Sequence, residues 1–386
     1  MQGQISDEIR YVLLILGLFF VAKFLQRFRI PGAITCLGIG VAFGLGLDWF
    51  AHDPVIEIFA VLGIAVLFLF AGMEVDVSEM RRDIRMLLGH VTIQTVAVFA
   101  LALLLMKLLR LELRPALLAA LALLTPSAGF ILDSLSRLHV TGAERAWIKS
   151  RAIGTEIVAL VILLFALQSE STTRLGISIG AIAAMIVLLP IVFRIFASFV
   201  LPHAPGTEFA FLVVSALVCA LITKKLGVYY LVGAFVVGTT EQRLRLKLPM
   251  LANERTLHAV ELFAAFFIPF YFLKAGLGLE KANFSREALV MGGIFLAAIV
   301  PLRIALVAIY RRIAVGQPLR AGARLGVSLL PTLVFTIVIA AILRERFDAP
   351  APLVGGLILY TLVNTIVPSF VLHTPPAEFE APAAHI

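Results

Sequence analysis

Cysteine, charge and histidine are all scarce in this chain, and each scarcity removes a class of protein. The two cysteines, Cys36 and Cys219, stand far apart in apolar runs. They offer neither a disulfide framework nor the paired spacing of a metal site, and read as small core residues. Charged residues fill only 15% of 386 positions, against about a quarter in soluble domains. Of seven histidines, only His90 falls clearly inside an apolar run, and no metal-ligand spacing surrounds it. A membrane-embedded enzyme or sensor would need a nucleophile, a metal cluster or a histidine motif there. No cofactor is expected. The start, MQGQISDEIR, has acids but no basic n-region or small-residue cleavage site, so no removable signal peptide is expected.

What is present is apolar length. Hydrophobic residues make up 61% of the chain and the mean hydropathy is +1.03, which together predict an all-α polytopic membrane protein. Segments of about 20 residues fall at 9–25, 30–47, 56–72, 86–108, 115–135, 146–167, 177–201, 209–223, 229–239, 257–274, 289–310, 321–343 and 352–372. Thirteen spans would put the ends on opposite sides. With the N-terminus outside and the C-terminus inside, the inner segments carry nineteen of the 32 Lys and Arg and the outer ones eleven, the expected bias. The net charge of +8 is thus spread between spans as topology requires, and no nucleic-acid partner is implied. The tail after Leu372 is short, Pro-rich and acidic, so no soluble regulatory domain is expected within this sequence.

Two motifs recur at nearly one spacing. Phe70–Asp76 (FAGMEVD) closes the third span and Lys274–Glu280 (KAGLGLE) the tenth, with Gly72 and Gly276 lying 204 positions apart. Arg114–Pro126 (RPALLAALALLTP) is echoed by Arg320–Pro331 (RAGARLGVSLLP), with the prolines 205 apart. The division predicted is a six-span repeat over 1–168, a linker helix over 169–206, a second six-span repeat over 207–372 and a tail over 373–386. Six spans and one linker invert the second repeat, which is the architecture of secondary transporters with a site at mid-membrane between the halves.

The candidate site follows from costs. Glu156 sits in an apolar run where an ionisable group is expensive and is kept for pairing, ion binding or proton transfer. Pro126 and Pro331 fall at matching places in spans five and twelve, where each removes a backbone donor. Either they are ordinary membrane-helix kinks, or Thr125, Pro126, Ser127 and Leu330, Pro331, Thr332 mark two interrupted helices at a binding site. Freed carbonyls and half-helix N-termini would then face an ion. Asp133 either contributes to the ion path or forms a water-facing helix end. Arg303 snorkels to the interface, pairs with Glu156 or caps a broken carbonyl end.

Four stretches carry a resemblance to a known family: Arg29–Gly40 (RIPGAITCLGIG), Leu67–Asp76 (LFLFAGMEVD), Leu231–Gly238 (LVGAFVVG) and Phe266–Glu280 (FFIPFYFLKAGLGLE). In their order and spacing the chain resembles the monovalent cation:proton antiporter superfamily over residues 10–372, nearest the branch of bacterial sodium/proton antiporters and glutathione-gated potassium efflux systems. The resemblance implies thirteen spans, two crossed broken helices at Pro126 and Pro331, and a scaffold of spans one to three and eight to ten that forms homodimers. It places Glu156 where relatives have an ion-binding aspartate, with Thr155 before it, and Arg303 where they have Lys or Arg. It also implies Na⁺ or K⁺ and H⁺ as substrates and a bacterial inner membrane. Three features depart from the family pattern. Thr155-Glu156 stands for Asp-Asp or Asn-Asp, span twelve reads LPTLVF over Leu330–Phe335 in place of an acidic motif, and the nucleotide-binding domain of the potassium-efflux subgroup does not appear. One carboxylate favours exchange of one cation for one proton, while a sodium-coupled organic anion transporter of related fold is the alternative.

Overall fold

An apolar layer offers the backbone no hydrogen-bond partner, and a helix answers this by satisfying its own amides. The computed structural model describes residues 7–50, 52–75, 80–81, 83–135, 140–245 and 254–372, excepting the side chains of 132–134 and 254. Every regular element among them is helical. In order they are α1 (7–26), α2 (Gly32–Leu47), α3 (Pro54–Met73), α4 (Ile84–Leu109), α5 in two arms (Leu113–Leu124 and Ala128–Leu135), α6 (Gly142–Gln168), α7 (Thr172–Val200), α8 (Glu208–Lys225), α9 (Tyr230–Arg245), α10 (Glu254–Leu277), α11 (Arg286–Val315), α12 in two arms (Leu319–Ser328 and Leu333–Phe347) and α13 (Ala351–Val371).

Helix ends are written in the sequence. Asp53 accepts from the amides of Val55 and Ile56 and starts α3 with Pro54 in its first turn, as a preferred cap does. Thr141 and Glu144 form a capping box on α6, and Ser285 caps α11 through the Ala288 amide. At the other ends Arg110 and Asp348 turn left-handed, at φ +53° and +45°, closing α4 and α12.

Each expected span coincides with a helix or a pair of arms. By length and apolarity alone, eight helices among the described residues are fit to cross a membrane, or nine with the arms of α12 joined across their 57° bend. The count of thirteen is not reached on this measure: α2 (Gly32–Leu47) is apolar but short, α8 holds Glu208, Lys224 and Lys225, and α9 ends in Glu241, Arg243 and Arg245. The tail, residues 373–386, lies outside the described residues.

The helices pack as two bodies. α2, α3, α8, α9 and α10 lie against one another as a panel, and α4, α5, α6, α11, α12 and α13 form a bundle, with α7 touching both. In the panel, backbone rests on backbone. A Cβ at Gly72 of α3 would stand 2.4 Å from the Phe235 carbonyl of α9, and one at Gly238 of α9 would stand 2.1 Å from the Leu69 carbonyl. The same contact recurs between α2 and α10, where a Cβ at Gly40 meets Leu273 O at 2.2 Å and one at Gly276 meets Leu37 O at 2.1 Å. In the bundle the most enclosed span is α5, 94% buried over its apolar window, while α7 is only 17% buried. The break in α5 is therefore enclosed by the bundle.

Candidate functional site

The break in α5 can be followed bond by bond. Pro126 has no amide, so the Ala122 carbonyl loses its helical donor. The Ser127 amide turns to Pro331 O at 2.8 Å, which strips Leu123. The Ala128 amide turns to Glu156 Oε2 at 3.1 Å, which strips Leu124. Each of the three orphaned carbonyls is taken by a side chain from another helix: Ala122 O by the Thr336 hydroxyl, Leu123 O by the Tyr360 hydroxyl and Leu124 O by the Gln94 amide, all at 2.7 Å. A buried carbonyl left alone would cost about 1–3 kcal/mol, so three such donors make the interruption tolerable.

The break in α12 is closed by one residue. The Leu330 amide bonds back to Val327 O in a tighter turn. Arg303 of α11 donates Nη2 to Leu329 O and Nη1 to Leu330 O, both at 2.6 Å, and Nη1 also reaches the Tyr360 hydroxyl at 3.3 Å. A fixed positive fork on the carbonyl end of a helix arm is favourable both as charge-assisted hydrogen bonding and against the helix dipole. Of the roles open to Arg303 from sequence, the geometry is that of the cap; no bond joins it to Glu156. Around Thr332 a polar cluster closes the second arm, with its hydroxyl 2.8 Å from that of Thr361 and accepting from Asn364 Nδ2 at 3.1 Å.

Glu156 lies on α6 beside this crossing and is 2% exposed. Its hydrogen-bonded oxygen meets the first free amide of the second arm of α5, the end where an anion is favoured. Among the described residues no cation forms an ion pair with it. The neighbouring Thr155 is also buried, and its hydroxyl has no hydrogen-bond partner. Thr155, Thr125, Gln94 and Thr95 line a cavity of about 10 Å³, close to the room one water needs.

The expected residues are thus brought together with one exception. Thr125, Pro126, Ser127, Leu330, Pro331 and Thr332 are buried at one crossing, with Glu156, Thr155 and Arg303 on the helices around it. Asp133 falls in the second arm of α5, and its side chain lies outside the described residues. Sequence reasoning missed Gln94, Thr336, Tyr360 and Asn364. The signal was available, since each is a polar group within an apolar span and needs a partner there. It also counted Arg151 and Arg311 with the inner segments. Both are buried, at 0% and 5% exposure, where α6 and α11 continue past them and both guanidinium groups lie against Trp147, 5.2 and 4.5 Å from its ring centre. Asp83 meets Arg151 at 2.8 Å. His90 is buried beside the same Trp147 and Tyr310.

Two interrupted helices bonded at their breaks, with an acid at one of the freed helix ends, define a membrane transporter of the discontinuous-helix type. The family model described as sodium/hydrogen exchanger, transmembrane, matches residues 12–375, and the chain belongs to that family, within the monovalent cation:proton antiporter superfamily. It is 23% identical over 287 residues to a Na(+)/H(+) antiporter of Enterococcus hirae, covering 71% of this chain and 74% of that protein. Its fold is that of the sodium proton antiporter MjNhaP1 from Methanocaldococcus jannaschii: the structure at pH 8 superposes with a TM-score of 0.68 at 17% identity over 95% of each chain. The electron-microscopy structure of the same antiporter superposes at 0.64, with 18% identity over 96% of each.

Proposed function

We propose that this protein exchanges Na⁺ or K⁺ for H⁺ by alternating access, with Glu156 as the one group that holds either ion. The observation that carries this reading is the Glu156 carboxylate, buried, bonded to the Ala128 amide and without a cationic partner among the described residues. A proton or a metal ion neutralises it, and one carboxylate does not hold both. The empty, charged site is costly to carry through an apolar barrier, so the site changes sides only when loaded, and the two fluxes are coupled. Thr155, with its unbonded hydroxyl, and Thr125 supply oxygens beside the carboxylate for a cation that has left water. Asp133 would extend the path along the second arm of α5.

The exchange is electroneutral on this reading. Arg303 stays charged and is committed to Leu329 and Leu330, so Glu156 is the group whose charge changes. The two repeats, 1–168 and 207–372 about a linker over 169–206, are inverted copies. Support comes from the panel, where the Gly72–Gly238 contact of α3 with α9 is matched by the Gly276–Gly40 contact of α10 with α2. The protein would lie in a bacterial inner membrane as a homodimer, N-terminus outside and C-terminus inside.

The test is cation-driven proton flux in proteoliposomes loaded with a pH-sensitive dye, comparing Na⁺ with K⁺. Glu156→Gln, neutral at every pH, should abolish exchange while the purified protein elutes and melts as the parent does. Normal flux in that variant would refute the assignment.

A further inference from the structure

Away from the crossing, the ends of five helices surround a strongly basic groove. It has a volume of about 610 Å³ and is lined by the ends of α6, α8 and α12 and the beginnings of α5 and α7. Four cations, Arg114, Arg174, Lys225 and Arg346, face a single carboxylate, Glu170. Glu170 is already taken, because Arg114 pairs with it while also donating to the Ala166 and Leu167 carbonyls at the end of α6. Hydrogen bonding and charge from Arg114, with further charge from Arg174 and Arg346, hold the Glu170 carboxyl below its usual range. Arg346 gives one nitrogen to the Gly227 carbonyl and keeps its other donors. The side chains of Arg174 and Lys225 make no hydrogen bond or ion pair among the described residues.

We propose that this groove binds the phosphate of an anionic phospholipid. The groove carries three positive charges in excess, and the guanidinium groups of Arg174 and Arg346 keep planar donors suited to phosphate oxygens. Its position selects lipid over a free anion. Gln168 ends α6, Lys225 ends α8 and Thr172 begins α7, so the cations lie at the level where spans leave the apolar layer. The groove continues onto Ile177 of α7, 55% exposed, on the least enclosed of the eight long apolar helices. A head group at the cations therefore leaves its chains along an apolar helix face. Basic side chains at the membrane surface attract anionic lipid head groups.

The experiment uses the full chain, delipidated in detergent, and measures retained lipid by native mass spectrometry. Phosphatidylglycerol is compared with phosphatidylcholine of the same chains. Preferential retention of phosphatidylglycerol is expected, and the double substitution Arg174→Gln with Lys225→Gln should weaken it roughly thirtyfold. Arg174→Lys with Lys225→Arg, which keeps both charges, should retain binding and guards against loss through misfolding. Excess inorganic phosphate should leave the lipid in place. Equal retention of the two lipids, or unchanged binding in the Gln pair, would overturn the proposal. So would displacement by phosphate, which would make the groove a site for free anions. None of these readouts involves cation exchange, so the lipid site stands or falls apart from Glu156.

Discussion

The Ala128 amide points at Glu156 Oε2 across 3.1 Å instead of at the Leu124 carbonyl four residues back. Breaking α5 thus does two things at once. It frees a donor to hold the carboxylate, and it leaves a carbonyl that Gln94 must cover. The position of the acid is therefore set by backbone that an unbroken helix would have consumed.

Shortening the acid tests that relationship. Glu156→Asp withdraws the carboxylate by about one C–C bond, roughly 1.5 Å, beyond hydrogen-bond reach of the Ala128 amide. Exchange should persist, because the group still takes a proton or a cation. The apparent KM for the cation should rise roughly tenfold, the effect of losing one charge-assisted bond. The concentration dependence of dye signals in proteoliposomes measures it, and an unchanged KM would show that the amide contact contributes nothing.

Arg303 should be worth more to stability than any other single side chain at the crossing. Arg303→Met leaves the Leu329 and Leu330 carbonyls buried and bare, at a cost of about 3 kcal/mol or more. Arg303→Lys restores a charge but not the fork and should fall between. Thermal unfolding in detergent ranks the three proteins. A Met variant that melts with the parent would contradict the cap.

Tyr360 joins the two breaks, donating to Leu123 O while its oxygen accepts from Arg303. Tyr360→Phe should cost about 1–2 kcal/mol. Combined with Arg303→Met the losses should fall short of their sum, since the two groups share one network. Strict additivity in a double-mutant cycle would mean that the breaks are held independently.

The panel makes a sharper distinction between glycines. Gly72→Ala drives a methyl to 2.4 Å from the Phe235 carbonyl, and the backbone there has no rotamer to yield, so a loss of about 1–3 kcal/mol is expected. Gly38→Ala in α2 meets nothing within 4 Å and should be neutral or slightly stabilising, as alanine is the better helix former. Melting temperatures that move together for both would refute the close crossing.

Much of this architecture was legible because its causes are local. Apolar length located the helices, and Pro126 and Pro331 marked both breaks because proline removes a donor wherever it stands. Glu156 declared itself by its cost in an apolar run. Arg303 was visible but ambiguous, since a long cation can snorkel, pair or cap, and only the placement of Leu329 and Leu330 O decides among these. Gln94 and Tyr360 escaped notice because an uncharged polar residue in a span gives no hint of which distant carbonyl it serves. Arg151 and Arg311 misled for a related reason: position along the chain suggested an inner loop, whereas packing around Trp147 buries both.

The glycine crossings have a mechanical consequence. Where α3 rides on α9, and α2 on α10, main chain touches main chain, and no layer of pliable side chains lies between to let one rod slide past its neighbour. Such a joint behaves like dry-laid masonry, either seated or parted. The bundle is bolted instead by hydroxyls, an amide and a guanidinium, attachments that can be released singly and remade elsewhere. The two halves thus differ in how they can give: the wall only by parting whole, the bundle by exchanging one attachment at a time.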